Sequence, residues 1–223
     1  MSISRLQQRD LVLFDLDGTL IDTAADMHSA MNQALKQLGF AEVTEPQIRQ
    51  WIGKGTAKLC DSVLLHLTEQ INSDQHQQLM QHYLACYTAG ICIDSQPFTG
   101  VVPFLKFCQA QNLNMACVTN KPEALANTLL QQLELDHYFG LILGGDSLER
   151  RKPDPLPLQH AVGFFQTQPE LTLMIGDSSN DVEAARNAGI DCIVMSYGYN
   201  HGEDIRACHP QQVIDTLETL ILE

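Results

Sequence analysis

A chain of 223 residues, 44% hydrophobic and 18% charged, is long enough to bury a substantial interior. It contains no apolar run near the ~20 residues that cross a bilayer, which excludes a membrane helix. A formal net charge of −14 excludes the basic footprint of a nucleic-acid surface, yet leaves room for small anions held by local cations or a metal.

The opening MSISRLQQRD is polar with no apolar signal region behind it. Seven cysteines are scattered without a C-x-x-C pair, so buried, reduced thiols in a cytoplasmic protein are expected. The first strand-like run is LVLFD (11–15). Helical patterns follow it: Met27, Ala30, Met31, Ala34, Leu35 and Leu38 share one face, and further patterns cover 56–67 and 74–88. DSQPFTG (94–100) is rich in turn residues. From there the chain alternates. Strand-like LNMACVT (113–119), GLILGG (140–145), LTLMIGD (171–177) and DCIVMS (191–196) are separated by helical stretches at 101–111, 122–133, 155–165 and 180–188, with a last helix expected at 210–222. The runs are nearly continuous in Val, Ile and Leu, as in strands covered on both faces. This order predicts an α/β fold, a doubly wound parallel sheet of Rossmann-like type, interrupted by a helical insert. The expected division is a core of 1–20 and 91–223 with an α-helical cap domain of 21–90.

In an open parallel sheet, ligands bind beyond the carboxyl ends of the strands. There the sequence places Asp15 and Asp17 after the first strand, Thr119 and Asn120 after the second, Lys152 after the third, and Asp177 with Asp181 after the fourth. Carboxylates so crowded raise one another's pKa unless a cation joins them. A hard dication such as Mg²⁺ takes carboxylate, water and phosphate oxygens. A lysine, a hydroxyl and free amides suit the oxygens of a phosphoryl group. Gly18 lets the backbone turn sharply past the acids.

DLDGTL, VTNKP, KPDP and GDSSND, in that order, resemble the four motifs of the haloacid-dehalogenase-like hydrolase superfamily. The helical insert resembles that superfamily's cap, and WIGKG, GGDS and SYGYNHGEDI are similar to segments of bacterial phosphoglycolate phosphatases. The resemblance implies a phosphomonoester hydrolase acting through an aspartyl-phosphate, with 2-phosphoglycolate as the first substrate expected. Asp15 would be the nucleophile and Asp17 the general acid and then base. Thr119, Asn120 and Lys152 would hold the phosphoryl group. Mg²⁺ would be held by the Asp15 carboxylate, the Asp17 backbone carbonyl and Asp177, with Asp181 beside them. Gly53 and Lys54, in the IGKG loop of the insert, would approach the leaving group. The implied partner is a small phosphomonoester, for a monomer or weak homodimer.

Other readings predict other features. A different small phosphomonoester, a sugar phosphate or nucleotide, would keep the same core, as would a phosphomutase. A phospho-receiver module would be about half as long and lack GDSSND after the lysine. His28 falls one residue off the position of the functional His in mutases of the superfamily, about 100° around a helix, and is expected on a helix surface. Arg49 is expected on a helix surface too; Trp51, Tyr197 and Tyr199 are expected to pack.

Overall fold

The computed structural model of the chain describes residues 6–221. Sixteen regular elements are named here in chain order. They are β1 (Leu11–Phe14), β2 (Ile21–Asp22), α1 (Ala24–Gln37), α2 (Glu45–Trp51), α3 (Thr56–Thr68), α4 (Ser73–Ala89), β3 (Gln96–Pro97) and α5 (Val101–Ala110). There follow β4 (Asn114–Val118), α6 (Glu123–Gln132), β5 (Leu141–Leu143), α7 (Leu156–Phe164), β6 (Thr172–Gly176), α8 (Ser179–Ala188), β7 (Asp191–Met195) and β8 (Gln212–Ile214). Among the described residues, no helix is long and apolar enough to cross a membrane.

Six strands form one sheet in the order β5-β4-β1-β6-β7-β8, every pair parallel. Strand alternation explains why it is covered twice. Val12 and Phe14 of β1 face a core shared with α5 and α6, where Phe14 meets Phe104 and Phe139 edge to face at 6.0 Å. Leu11 and Leu13 face the other layer, with Leu158 of α7 and Val182 of α8. The chain runs from β1 to β4 on one side and returns to β6 on the other. The order therefore reverses around β1, and its carboxyl end opens the crevice where such sheets bind ligands.

The predicted helix at 210–222 is corrected. Gln212–Ile214 is a sixth strand, in register with Ile193–Met195 of β7, and Leu217–Leu220 is a short 3₁₀ turn; residue 222 lies outside the described residues. Val213, Ile214, Leu217 and Leu220 have a spacing that fits a helix. The exposed edge of β7 supplies hydrogen bonds that a strand uses and a helix does not.

Helices α1–α4 lie between β2 and β3. The apolar face predicted for α1 is real: Met27, Ala30, Met31, Ala34 and Leu35 are buried, and Leu38 is packed at its end. It faces α4, whose Tyr83 and Tyr87 stack with rings 5.6 Å apart. The chain leaves and returns through β2 and β3, which pair antiparallel. The buried Asp26 locks this crossing by accepting from the amides of Ile93, Asp94 and Ser95 at 3.1, 2.9 and 2.8 Å, and from the Ser95 hydroxyl. Asp26→Ala leaves these donors without their charged acceptor, which costs roughly 3 kcal/mol. Thermal melting of the variant is expected about 6–12 °C lower, with faster proteolysis at 90–96; an unchanged Tm would show that the crossing is held elsewhere.

Candidate active site

The strand ends carry out what their order implies. Asp15 and Asp17 leave β1, Thr119, Asn120 and Lys121 leave β4, and Asp177 leaves β6. Asp181 sits in the first turn of α8, where its Oδ2 accepts from the amides of Asp177 and Ser178 and from the Ser178 hydroxyl. Lys152, in the loop after β5, is 3% exposed and lies between two acids, with Nζ 2.7 Å from Asp181 Oδ1 and 2.9 Å from Asp15 Oδ1. The turn past the acids demands glycine. Gly18 has φ +87°, and a Cβ there would lie 2.5 Å from Asp177 Oδ2; one on Gly198 would lie 2.1 Å from Asp177 Cβ.

Carboxylate oxygens of Asp15, Asp177 and Asp181 lie within 4.8 Å of one another, and all three residues are buried. Burial pushes Asp15 up to about 6; the Lys152 charge opposes that rise and Asp181 adds to it. Burial raises Asp177 well above the carboxylate range, with Asp15 and Asp181 adding to it. Burial alone would lower Lys152, but the two acids outweigh it and hold the ammonium charged. The Lys152 contact reaches Asp15 Oδ1 outside hydrogen-bond geometry, so that buried oxygen has no hydrogen-bond partner among the described residues. Three crowded carboxylates with one oxygen left over fit a hard divalent cation.

Asp17 faces elsewhere. Its Oδ1 accepts from Thr23 Oγ1 at 2.7 Å and from Lys121 Nζ at 2.8 Å, and its Oδ2 lies 3.1 Å from the same Nζ. Its carboxylate is therefore not part of the three-acid group, which leaves only its backbone for the metal role expected of it. Lys121, buried and 4.6 Å from the centre of the Tyr87 ring, is not among the residues expected from the sequence, although it directly follows Thr119 and Asn120. Its place in VTNKP was the available signal.

Both side-chain amide hydrogens of Asn120 are committed, to the carbonyls of Gly53 and Lys152 at 2.9 Å each, which leaves its backbone N–H for the phosphoryl contact expected of it. Gly53 likewise meets the core through its carbonyl, which also accepts from Asn180. Lys54 does not reach the site: it is exposed, beside Trp51, Lys58 and His201 on an outer groove. Asp15, Asp17, Thr119 and Lys121 instead share a pocket with Ile52, Leu59 and the two stacked tyrosines. Sequence gave no signal for Tyr83 and Tyr87, whose four-residue spacing is that of any buried helix face.

His28 is half-buried, 2.9 Å from the Val43 carbonyl and away from the pocket. Arg49 is no free surface residue. It pairs with Asp22 at 3.1 Å and lies 5.2 Å from the centre of the Tyr199 ring. Tyr197 donates to the Thr19 carbonyl and Tyr199 to Asp22, so both pack and also brace the loop after β1. Trp51 packs beside His66.

Asp15 keeps its proton up to about pH 6 in the folded chain, but only to the ordinary carboxylate range when unfolded. The stability this adds is full below the unfolded value and is lost as pH rises through about 6. In EDTA, Asp15→Asn is therefore expected to melt increasingly above the parent chain as pH rises across that window. A constant separation of the two melting curves would refute the crowding.

Comparison with known proteins agrees with this geometry. Residues 12–195 match the family model of the haloacid dehalogenase-like hydrolases. A protein of Nitrosospira multiformis named phosphoglycolate phosphatase is 41% identical, the match covering 92% of this chain and 91% of the relative. One of the same name from Nitrosococcus oceani is 38% identical over 95% of both chains. The crystal structure of a "predicted phosphoglycolate phosphatase" from Haemophilus somnus superimposes with a TM-score of 0.93 at 30% identity, covering 96% of this chain and 97% of that one. A match that begins in β1 and ends with β7, and relatives alike over nearly their whole length, place this chain in the haloacid dehalogenase-like hydrolase family.

Proposed function

We propose that the chain is a Mg²⁺-dependent phosphomonoester hydrolase that works through an aspartyl-phosphate on Asp15, with 2-phosphoglycolate as its substrate. One observation carries the reading: two acids one residue apart are held in different surroundings by different lysines. Asp15 joins the buried acids and Lys152, whereas Asp17 faces the pocket with Lys121. Such a division assigns two carboxylates to two tasks.

An Asp15 oxygen attacks phosphorus, the bond from phosphorus to the leaving oxygen breaks, and Asp17 gives that oxygen its proton. Asp17 then takes a proton from water as the water attacks the same phosphorus, which frees phosphate and restores the Asp15 carboxylate. For this, Lys121 must release Asp17 as substrate enters. The Thr119 hydroxyl and Lys152 ammonium hold the non-bridging oxygens, where charge builds up in the transfer. Asp15, Asp177 and the Asp17 backbone carbonyl would hold Mg²⁺, with Asp181 keeping Lys152 in place; the bound ion supplies positive charge that offsets the crowded acids and the phosphate.

Helices α1–α4, within residues 21–90, act as a cap over a core of 1–20 and 91–223, of which 1–5 and 222–223 lie outside the described residues. They exclude water during transfer. The cavity they close is about 30 Å³, room for about two waters. A two-carbon leaving group needs little parting of the helices and a sugar much more. The names of the relatives support the same substrate.

Asp15→Asn is expected to lose at least ~10³-fold in kcat while keeping its fold, and Asp17→Asn to accumulate labelled phosphoenzyme from an aryl phosphate. Absence of any trapped species would count against the two-step scheme. Mg²⁺ at about 100 times its Kd should stabilise the wild type by about 2.7 kcal/mol, raising Tm by roughly 5–10 °C, and EDTA should abolish turnover. Ranking small phosphomonoesters by kcat/KM tests the substrate: 2-phosphoglycolate should lead, and a flat profile would overturn that assignment.

A further inference from the structure

We infer that Tyr87 and the uncapped amino end of α3 form the subsite that reads the carboxylate of the leaving group, an inference that rests on the substrate proposed above. Tyr87 is 1% exposed, and its hydroxyl has no hydrogen-bond partner among the described residues. A buried hydroxyl is costly to leave unpaired, and the ring lines the pocket that holds Asp15 and Asp17. The ring is fixed from two sides, by the stack on Tyr83 (interplanar angle 7°) and by the Lys121 ammonium. Its hydroxyl is thus held ready to donate. Burial raises its pKa well above the ordinary phenol range, so the donor keeps its proton.

Helix α3 supplies the second half. It begins at Thr56 after Gly55, whose φ of +85° turns the chain into the helix, and both residues line the same pocket. No side chain caps this end, and its first turn carries no acidic residue. The first amides of a helix have no partner within it and present the positive end of its dipole, an arrangement that holds anions. Among the residues lining the pocket, the only carboxylates are Asp15 and Asp17, each already matched by a lysine. The α3 end of the pocket is therefore free for a second negative group. Lys54, expected from the sequence to approach the leaving group, faces the outer groove.

The test compares 2-phosphoglycolate with ethyl phosphate, which has two carbons and no carboxylate, as the ratio of their kcat/KM values. Wild type should favour 2-phosphoglycolate, and Tyr87→Phe should lower the ratio about tenfold or more. Thr56→Pro removes one amide at a helix position that tolerates proline, and should lower the ratio by a smaller factor. Tyr87→Phe should melt no lower than wild type, since the hydroxyl it loses has no partner. A preserved ratio in Tyr87→Phe, or a fall in its Tm, overturns the role of Tyr87 while leaving the substrate standing; a preserved ratio in Thr56→Pro does the same for α3. A wild-type ratio near one overturns the substrate and the subsite together.

Discussion

The site depends on one buried cation. Lys152 lies between Asp15 and Asp181 at 2.9 and 2.7 Å and is, among the described residues, the cation paired with the group of three buried carboxylates. Taking Lys152 away would strand buried carboxylate charge, at a cost of about 3–5 kcal/mol. The same residue reaches further through its backbone. Its carbonyl accepts from Asn120, whose other amide hydrogen holds Gly53 of the insert. A single loop after β5 thus fixes Asp15, the first turn of α8 and the chain that crosses the pocket.

Insert and core share one buried apolar cluster, and further polar ties join them. Asp26 gathers the returning chain, Arg49 pairs with Asp22 beneath the Tyr199 ring, and Asn180 adds a second bond to the Gly53 carbonyl. Polar ties of this kind exchange with water more readily than buried apolar faces separate. The helices themselves stay together through the buried face between α1 and α4.

Much of the fold was legible in order and period. Five strand-like runs became five parallel strands; Asp15, Asp17, Thr119 and Asp177 follow strand ends, with Lys152 in the loop after β5 and Asp181 in the first turn of α8. What could not be read was direction. Asn120 and Lys121 are neighbours in one motif, yet one holds backbone carbonyls and the other holds Asp17. Lys54 sits between the glycines expected to approach the site, yet points to an outer groove. Arg49 looked like any exposed helix cation until Asp22 and Tyr199 met it from outside its own helix. The last strand was hidden as well, because its partner is the edge of β7 and its own spacing suits a helix.

The sequence by itself determined the alternation of strands and helices, and hence which residues gather at one edge of the sheet, because side-chain period and connection order are local properties of the chain. The close pairing of Asp15 and Asp17 belongs to that part. Only the tertiary structure decided that they face different lysines, that Tyr87 presents an unpaired hydroxyl, and that α3 opens onto the pocket. Those outcomes depend on contacts between segments far apart in the chain, whose mutual distances no local pattern carries.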